Sequence, residues 1–231
     1  MMFALPLALA LAGCGRLPGA TAAEETPPRP EQILDFHALY NANCQGCHGE
    51  NGHGGPAMEL GNPEYQALVD DATLRKTISE GMPGTEMPAF AQSAGGMLTD
   101  AQIDSIIAGM RKEWTRPNAF GGATPPVYAQ GQGGDAKRGE QAYQARCAGC
   151  HQTPARQQVT SPAYLSLISD QALRTVVIAG RADIGQPDWR LQSVKGGTGP
   201  LSGQDVTDIV TYLGSLRNPA AVSAPTAGRL R

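Results

Sequence analysis

Four of the five cysteines fall in two copies of one pattern, Cys44-Gln45-Gly46-Cys47-His48 and Cys147-Ala148-Gly149-Cys150-His151. Two thiols separated by two residues and followed at once by a histidine form the arrangement that attaches a haem covalently. Each thiol adds to one vinyl group, and the imidazole comes to lie beneath the iron. A thioredoxin-like thiol pair needs neither the histidine nor a duplicate. A four-cysteine zinc site would set its pairs about 15–20 residues apart, whereas these pairs lie 103 apart. The pattern predicts two covalently bound haem c groups, held by Cys44, Cys47, Cys147 and Cys150, with His48 and His151 as proximal iron ligands. Attachment of this kind takes place outside the cytoplasm.

The elements that must position these residues are themselves repeated. The offset of 103 that superposes the two motifs also carries Leu98–Met110 onto Leu201–Leu213. Between them the offset is 99, matching Asp71, Leu74, Gly81 and Pro88 to Asp170, Leu173, Gly180 and Pro187. Each copy predicts about three helices. The first runs into the cysteine motif (32–43 and 136–146). A middle one is N-capped by Asp71 or Asp170. The last carries Ile103, Ile106, Ile107 and Met110, or Val206, Ile209, Val210 and Leu213, on one face of a 3.6-residue period. No convincing strand alternation is present, so the class is all-α. The organisation expected is a signal peptide over 1–13, a tether over 14–31, helical domains over 32–116 and 135–217, a Pro/Gly-rich linker over 117–134 and a tail over 218–231. Within the 231 residues the 29 glycines and 18 prolines fit small units with much irregular loop.

Residues 1–13 are uncharged and almost wholly apolar. The stretch is shorter than the roughly 20 residues of a membrane span and reads as the apolar region of a secretory signal. Leu11-Ala12-Gly13-Cys14 resembles the lipobox of bacterial lipoproteins, which makes Cys14 the expected lipidation site; an ordinary signal peptide is the alternative. The lipid would anchor the protein to the membrane surface, on the periplasmic side.

With the motifs and the repeat in place, the halves resemble tandem class I cytochrome c domains over about residues 32–217. In that family the first helix carries a Gly that crosses the last helix closely, four residues before an aromatic. Gly139, Tyr143 and Cys147 match, with Tyr212 on the last helix. The first copy has Phe36 where Gly139 stands, and Gly109 where Tyr212 stands. A close crossing needs one small residue at the contact, and this exchange keeps one. The resemblance further implies that Pro56 and Pro162 supply the carbonyls that accept the proximal histidines' ring N–H. It implies Met87, in Met87-Pro88-Ala89-Phe90, as sixth ligand of the first iron, with Met82 and Met97 as rivals. The second copy contains no methionine, and Gln186 occupies the place of Met87. Gln186 is a candidate iron ligand there, the alternatives being a five-coordinate iron or a group from another subunit. His37 and His53 are expected at the surface.

The net charge is −3, and residues 31–116 carry −7 against +2 for residues 134–218. No basic surface calls for a nucleic acid. The resemblance implies electron relay between membrane-associated redox partners: a quinol-oxidising complex, an oxidase or a photosynthetic reaction centre. The other class left open is a dihaem peroxidase or a CO/NO-binding protein using the second haem. Dihaem peroxidases are, by family, larger and richer in histidine ligands.

Overall fold

The computed structural model describes residues 27–153, 157–190 and 199–217. The expected signal peptide, Cys14, most of the tether and the tail lie outside the described residues. The first half runs α1 (Phe36–Asn43), α2 (Gln45–His48), a hairpin of β1 (Gly49–Glu50) and β2 (His53–Gly54), α3 (Pro63–Leu68), α4 (Asp71–Glu80) and α5 (Asp100–Trp114). The second runs α6 (Ala136–Arg146), α7 (Ala148–His151), α8 (Pro162–Leu165), α9 (Asp170–Ala179) and α10 (Gly203–Ser215). The all-α expectation holds: the hairpin, two residues to a strand, is the only sheet among the described residues.

Helix starts follow their caps. Asp35 accepts from Ala38 N, so α1 begins at Phe36 rather than at residue 32. Asp135 caps α6 through Arg138 N. The middle helices are capped one residue earlier than expected: Asp70 accepts from Thr73 N and Ser169 from Ala172 N. Asp71 and Asp170 instead occupy the first helical turn, where a carboxylate meets the positive end of the dipole. There they pair with Arg111 and Arg217. The last helices open with full capping boxes, Thr99 with Gln102 and Ser202 with Asp205.

Each half has its own core. Ile103, Ile106, Ile107 and Met110 bury the inner face of α5 beside Leu39, Tyr40 and Leu74. Val206, Ile209, Val210 and Leu213 do the same for α10 beside Tyr143, Leu165 and Leu173. Each such side chain contributes about 1.5–3 kcal/mol when fully buried. The exchange of small and large residues at the helix crossing is present. A Cβ on Gly109 would overlap the Phe36 ring, whereas one on Gly139 would overlap the Asp208 backbone carbonyl and reach 2.9 Å from Tyr212 Cβ. The aromatic thus fills the crossing from α1 in one half and from α10 in the other.

The halves pack together. Ala179 is buried against the first core, and Leu68 touches both. Asn62 Nδ2 donates to Ala179 O at 3.3 Å, and Arg190 pairs with Glu64 at 3.0 Å. The segment between the domains is pinned to α9. Buried Arg174 donates to Val127 O, and Gln171 both donates to Tyr128 O and accepts from Gln130 N.

Candidate functional site

The two cysteine motifs adopt one geometry. Cys44 ends α1 with φ −118° and ψ −36°, and Cys147 ends α6 with φ −118° and ψ −37°. The short helices α2 and α7 follow, holding His48 N and His151 N each 3.0 Å from the first cysteine's carbonyl. In both motifs the first thiol is half-buried and the second exposed, and all four are free. Burial pushes the Cys44 and Cys147 thiols up to about 11. In the bare chain they are protonated; thioether formation would remove them from titration.

His48 is 9 % exposed, and its Nδ1 lies 2.7 Å from Met58 O. Nδ1 therefore carries the proton, which leaves the Nε2 lone pair free for a metal. Burial, first, and the Arg181 charge hold its pKa below the usual histidine range, partly offset by the Met58 carbonyl, which favours the neutral imidazole that a metal takes. The acceptor corrects the expectation for Pro56. Ala57 N is drawn to Cys47 O at 3.0 Å, which turns the chain so that Met58, not Pro56, faces the ring. Exposed Pro162 serves as the first residue of α8, its carbonyl accepting from Ser166 N.

The loops that carry the expected sixth ligands superpose in detail. Gly81 and Gly180 end α4 and α9 at φ +69° and +77°. A Cβ on Gly81 would press on Met87 O, Pro88 C and Ala89 N; one on Gly180 would press on Gln186 O, Pro187 C and Asp188 N. Met82 N donates to Met87 O as Arg181 N does to Gln186 O, both at 3.0 Å. Gln186 thus stands in the backbone place of Met87. Met87 is half-buried, as is Met82, whereas Met97 is 78 % exposed and distant in character from a ligand. Gln186 Nε2 donates to Val176 O at 3.2 Å, so its amide oxygen is the donor atom left for iron.

His37 is exposed and pairs with Glu113 at 3.0 Å; His53 pairs with buried Glu59 at 2.7 Å. Both stay outside the candidate ligand sets. Sequence reasoning missed Met58, whose role belongs to its carbonyl and has no side-chain signal. It also missed Trp189, which replaces Phe90 in the second loop.

The donor types fit haem c: paired thiols followed by a histidine in each half, with a thioether at Met87 and an amide at Gln186 in corresponding loops. A second observation supports the fit in the second half. Trp189 Nε1 and Tyr143 Oη are buried without a hydrogen-bond partner, a state that costs about 1–3 kcal/mol per group. A haem propionate would be a suitable acceptor. The first half avoids both orphans: Tyr40 donates to Gly49 O at 2.8 Å, and Phe90 has no polar atom.

Residues 31–108 match the family model for cytochrome c oxidase, cbb3-type, subunit III, and residues 136–217 match that for cytochrome c. The chain is 39 % identical over 71 residues to dihydro-haem d1 dehydrogenase from Pseudomonas aeruginosa, covering 31 % of this chain and 13 % of that protein. The chain thus spans about one-eighth of that relative's length. A solved structure of dihydro-haem d1 dehydrogenase in complex with DHE matches at 30 % identity and TM-score 0.30, over 41 % of this chain and 18 % of that one. A solved structure of a reducing HAO-like protein complex from Kuenenia stuttgartiensis matches at 17 % identity and TM-score 0.42, over 79 % of this chain and 96 % of that one.

Proposed function

We propose that this chain, which belongs to the c-type cytochromes as a tandem dihaem cytochrome c with two covalently bound haem c groups, relays electrons between membrane-associated redox partners outside the cytoplasm. The donor or acceptor is a quinol-oxidising complex, an oxidase or a photosynthetic reaction centre. The observation that carries the reading is the duplication of one attachment geometry, with φ/ψ of −118°/−36° and −118°/−37° at the leading cysteines, within two halves that pack together.

Cys44 and Cys47 would hold the first haem, and Cys147 and Cys150 the second. Each haem supplies one-electron chemistry at its iron. The chain's residues set where and at what potential. His48 and His151 present a ring nitrogen to the irons, and Met58 O fixes the His48 tautomer. Met87 offers a soft thioether, which favours the ferrous state and raises the potential. Gln186 offers a hard amide oxygen and lowers it. The acidic first half and the mildly basic second half suit partners of different charge. Lipidation at Cys14 would keep both haems near the membrane at high effective concentration.

A second reading is favoured by Gln186, which replaces the thioether of the first half: the second haem binds a small ligand such as CO or NO, or reduces peroxide. One experiment separates the two. The reduced and oxidised proteins are mixed in turn with membranes containing a quinol-oxidising complex, with CO and with peroxide. Rapid electron exchange with the membranes, without peroxide turnover, supports relay. Peroxide turnover without membrane exchange overturns it.

A further inference from the structure

The loop that carries Met58 O to His48 is held from the other domain. Arg181, just after α9, donates from Nη1 to Ala57 O at 2.9 Å and from Nη2 to Gly55 O at 3.0 Å. Asp183 grips the same guanidinium through both oxygens at 2.8 Å and accepts from Gly54 N at 3.1 Å. The two side chains are 11 % and 7 % exposed. On its inner side the loop is tied to the cysteine motif by Ala57 N to Cys47 O, and Gly55 packs directly on the Cys47 carbonyl. The loop is clasped between its own haem motif and the second domain, and Met58 O is the next carbonyl after those that Arg181 holds.

We infer that Arg181 is a positioning residue for the first haem: acting across the domain boundary, it fixes the 54–58 loop and so the hydrogen bond from His48 Nδ1 to Met58 O. That bond gives the imidazole partial anionic character and strengthens it as a ligand to ferric iron. The repeat supplies no counterpart, because the offset of 99 places Met82 where Arg181 stands. Arg181 also brackets Gln186, its N donating to Gln186 O at 3.0 Å and its O accepting from Gln186 N at 2.9 Å. One residue therefore joins the candidate ligand loop of the second haem to the proximal histidine of the first.

The inference rests on His48 being the first haem's proximal ligand, and its test separates the two ideas. In the fully haem-loaded, reduced protein, ring-current-shifted His48 resonances establish ligation by themselves; unshifted resonances refute the ligand reading. The Arg181→Gln/Asp183→Asn pair then removes the clasp without changing net charge. The expected result is exchange of the His48 Nδ1 proton faster by about tenfold or more, the effect of weakening one or two hydrogen bonds. A rise in the first haem's potential should accompany it, with the second haem's absorption spectrum unchanged. Arg181→Lys, which keeps the charge and a single donor nitrogen in place of the guanidinium fork, should restore part of the protection. Wild-type exchange and an unmoved first potential in the folded double variant would overturn the inference.

Discussion

At the scale of single residues, the proposed iron ligation turns on Met87 and Gln186. Met87→Ala should abolish the thioether–iron charge-transfer band and lower one of the two potentials, with the other in place; a band that survives transfers the role to Met82, the other half-buried methionine of that loop. The acid side of the stability profile turns on Asp183. Its hydrogen bonds with Arg181, foremost, hold its carboxyl at about 2, below its ordinary value of 3.8. A depressed carboxylate stabilises the fold fully above its unfolded pKa and loses that contribution as pH falls through the folded value. Asp183→Asn should therefore cost about 1 kcal/mol above pH 4, less than the full displacement because solvent screens part of the pair. The difference should shrink to a small remainder as pH approaches 2 and vanish only below it. Guanidinium melts of both proteins from pH 6 to pH 2 check this, and a gap that stays constant to pH 2 contradicts it. The cysteines, both histidines and the Met87–Gln186 replacement were legible in the sequence because type and spacing alone define them. Met58 was not, because which carbonyl meets an imidazole depends on loop torsions that Pro56 and its neighbours do not announce.

At the scale of helices, the two crossings make opposite demands. In α6 the residue that yields space is Gly139, faced by rigid backbone at Asp208; in α5 it is Gly109, faced by the Phe36 side chain. Backbone cannot retreat as a side chain can, so Gly139→Ala should destabilise its domain more than Gly109→Ala does, the latter by about 1–3 kcal/mol as an overpacked core site. Thermal melts of the two variants test the order, and equal losses would show that both crossings are equally compliant. The exchange of Phe36 with Gly109 was readable from the repeat, because a one-for-one swap preserves the pair. The 3-4-3 faces of α5 and α10 were readable for the same local reason. The caps of α4 and α9 fell one residue early because Asp70 and Ser169 cap as readily as the aspartates that follow them.

At the scale of the whole molecule, the docking of one half on the other had no sequence signal. Asn62 on Ala179, Arg190 on Glu64 and Arg181 on the 54–58 loop join residues more than 100 positions apart in the chain, and none belongs to a repeated motif. The segment over 117–134 reads as a tether by composition, yet Arg174 and Gln171 fix its backbone to α9. Membrane attachment is testable at the same scale: Cys14→Ser should release the protein from membranes, and a variant that still sediments with purified lipid vesicles contradicts the anchor.

In the proposed function the two haems are unequal one-electron sites, one ligated by Met87 and one not. A redox titration followed in the visible and near infrared tests it directly. Two one-electron steps are expected, with the thioether band lost on reduction only in the higher-potential step, and a second such band in Gln186→Met. Two thioether bands in the wild-type protein, or a single step in which both haems titrate identically, would contradict it.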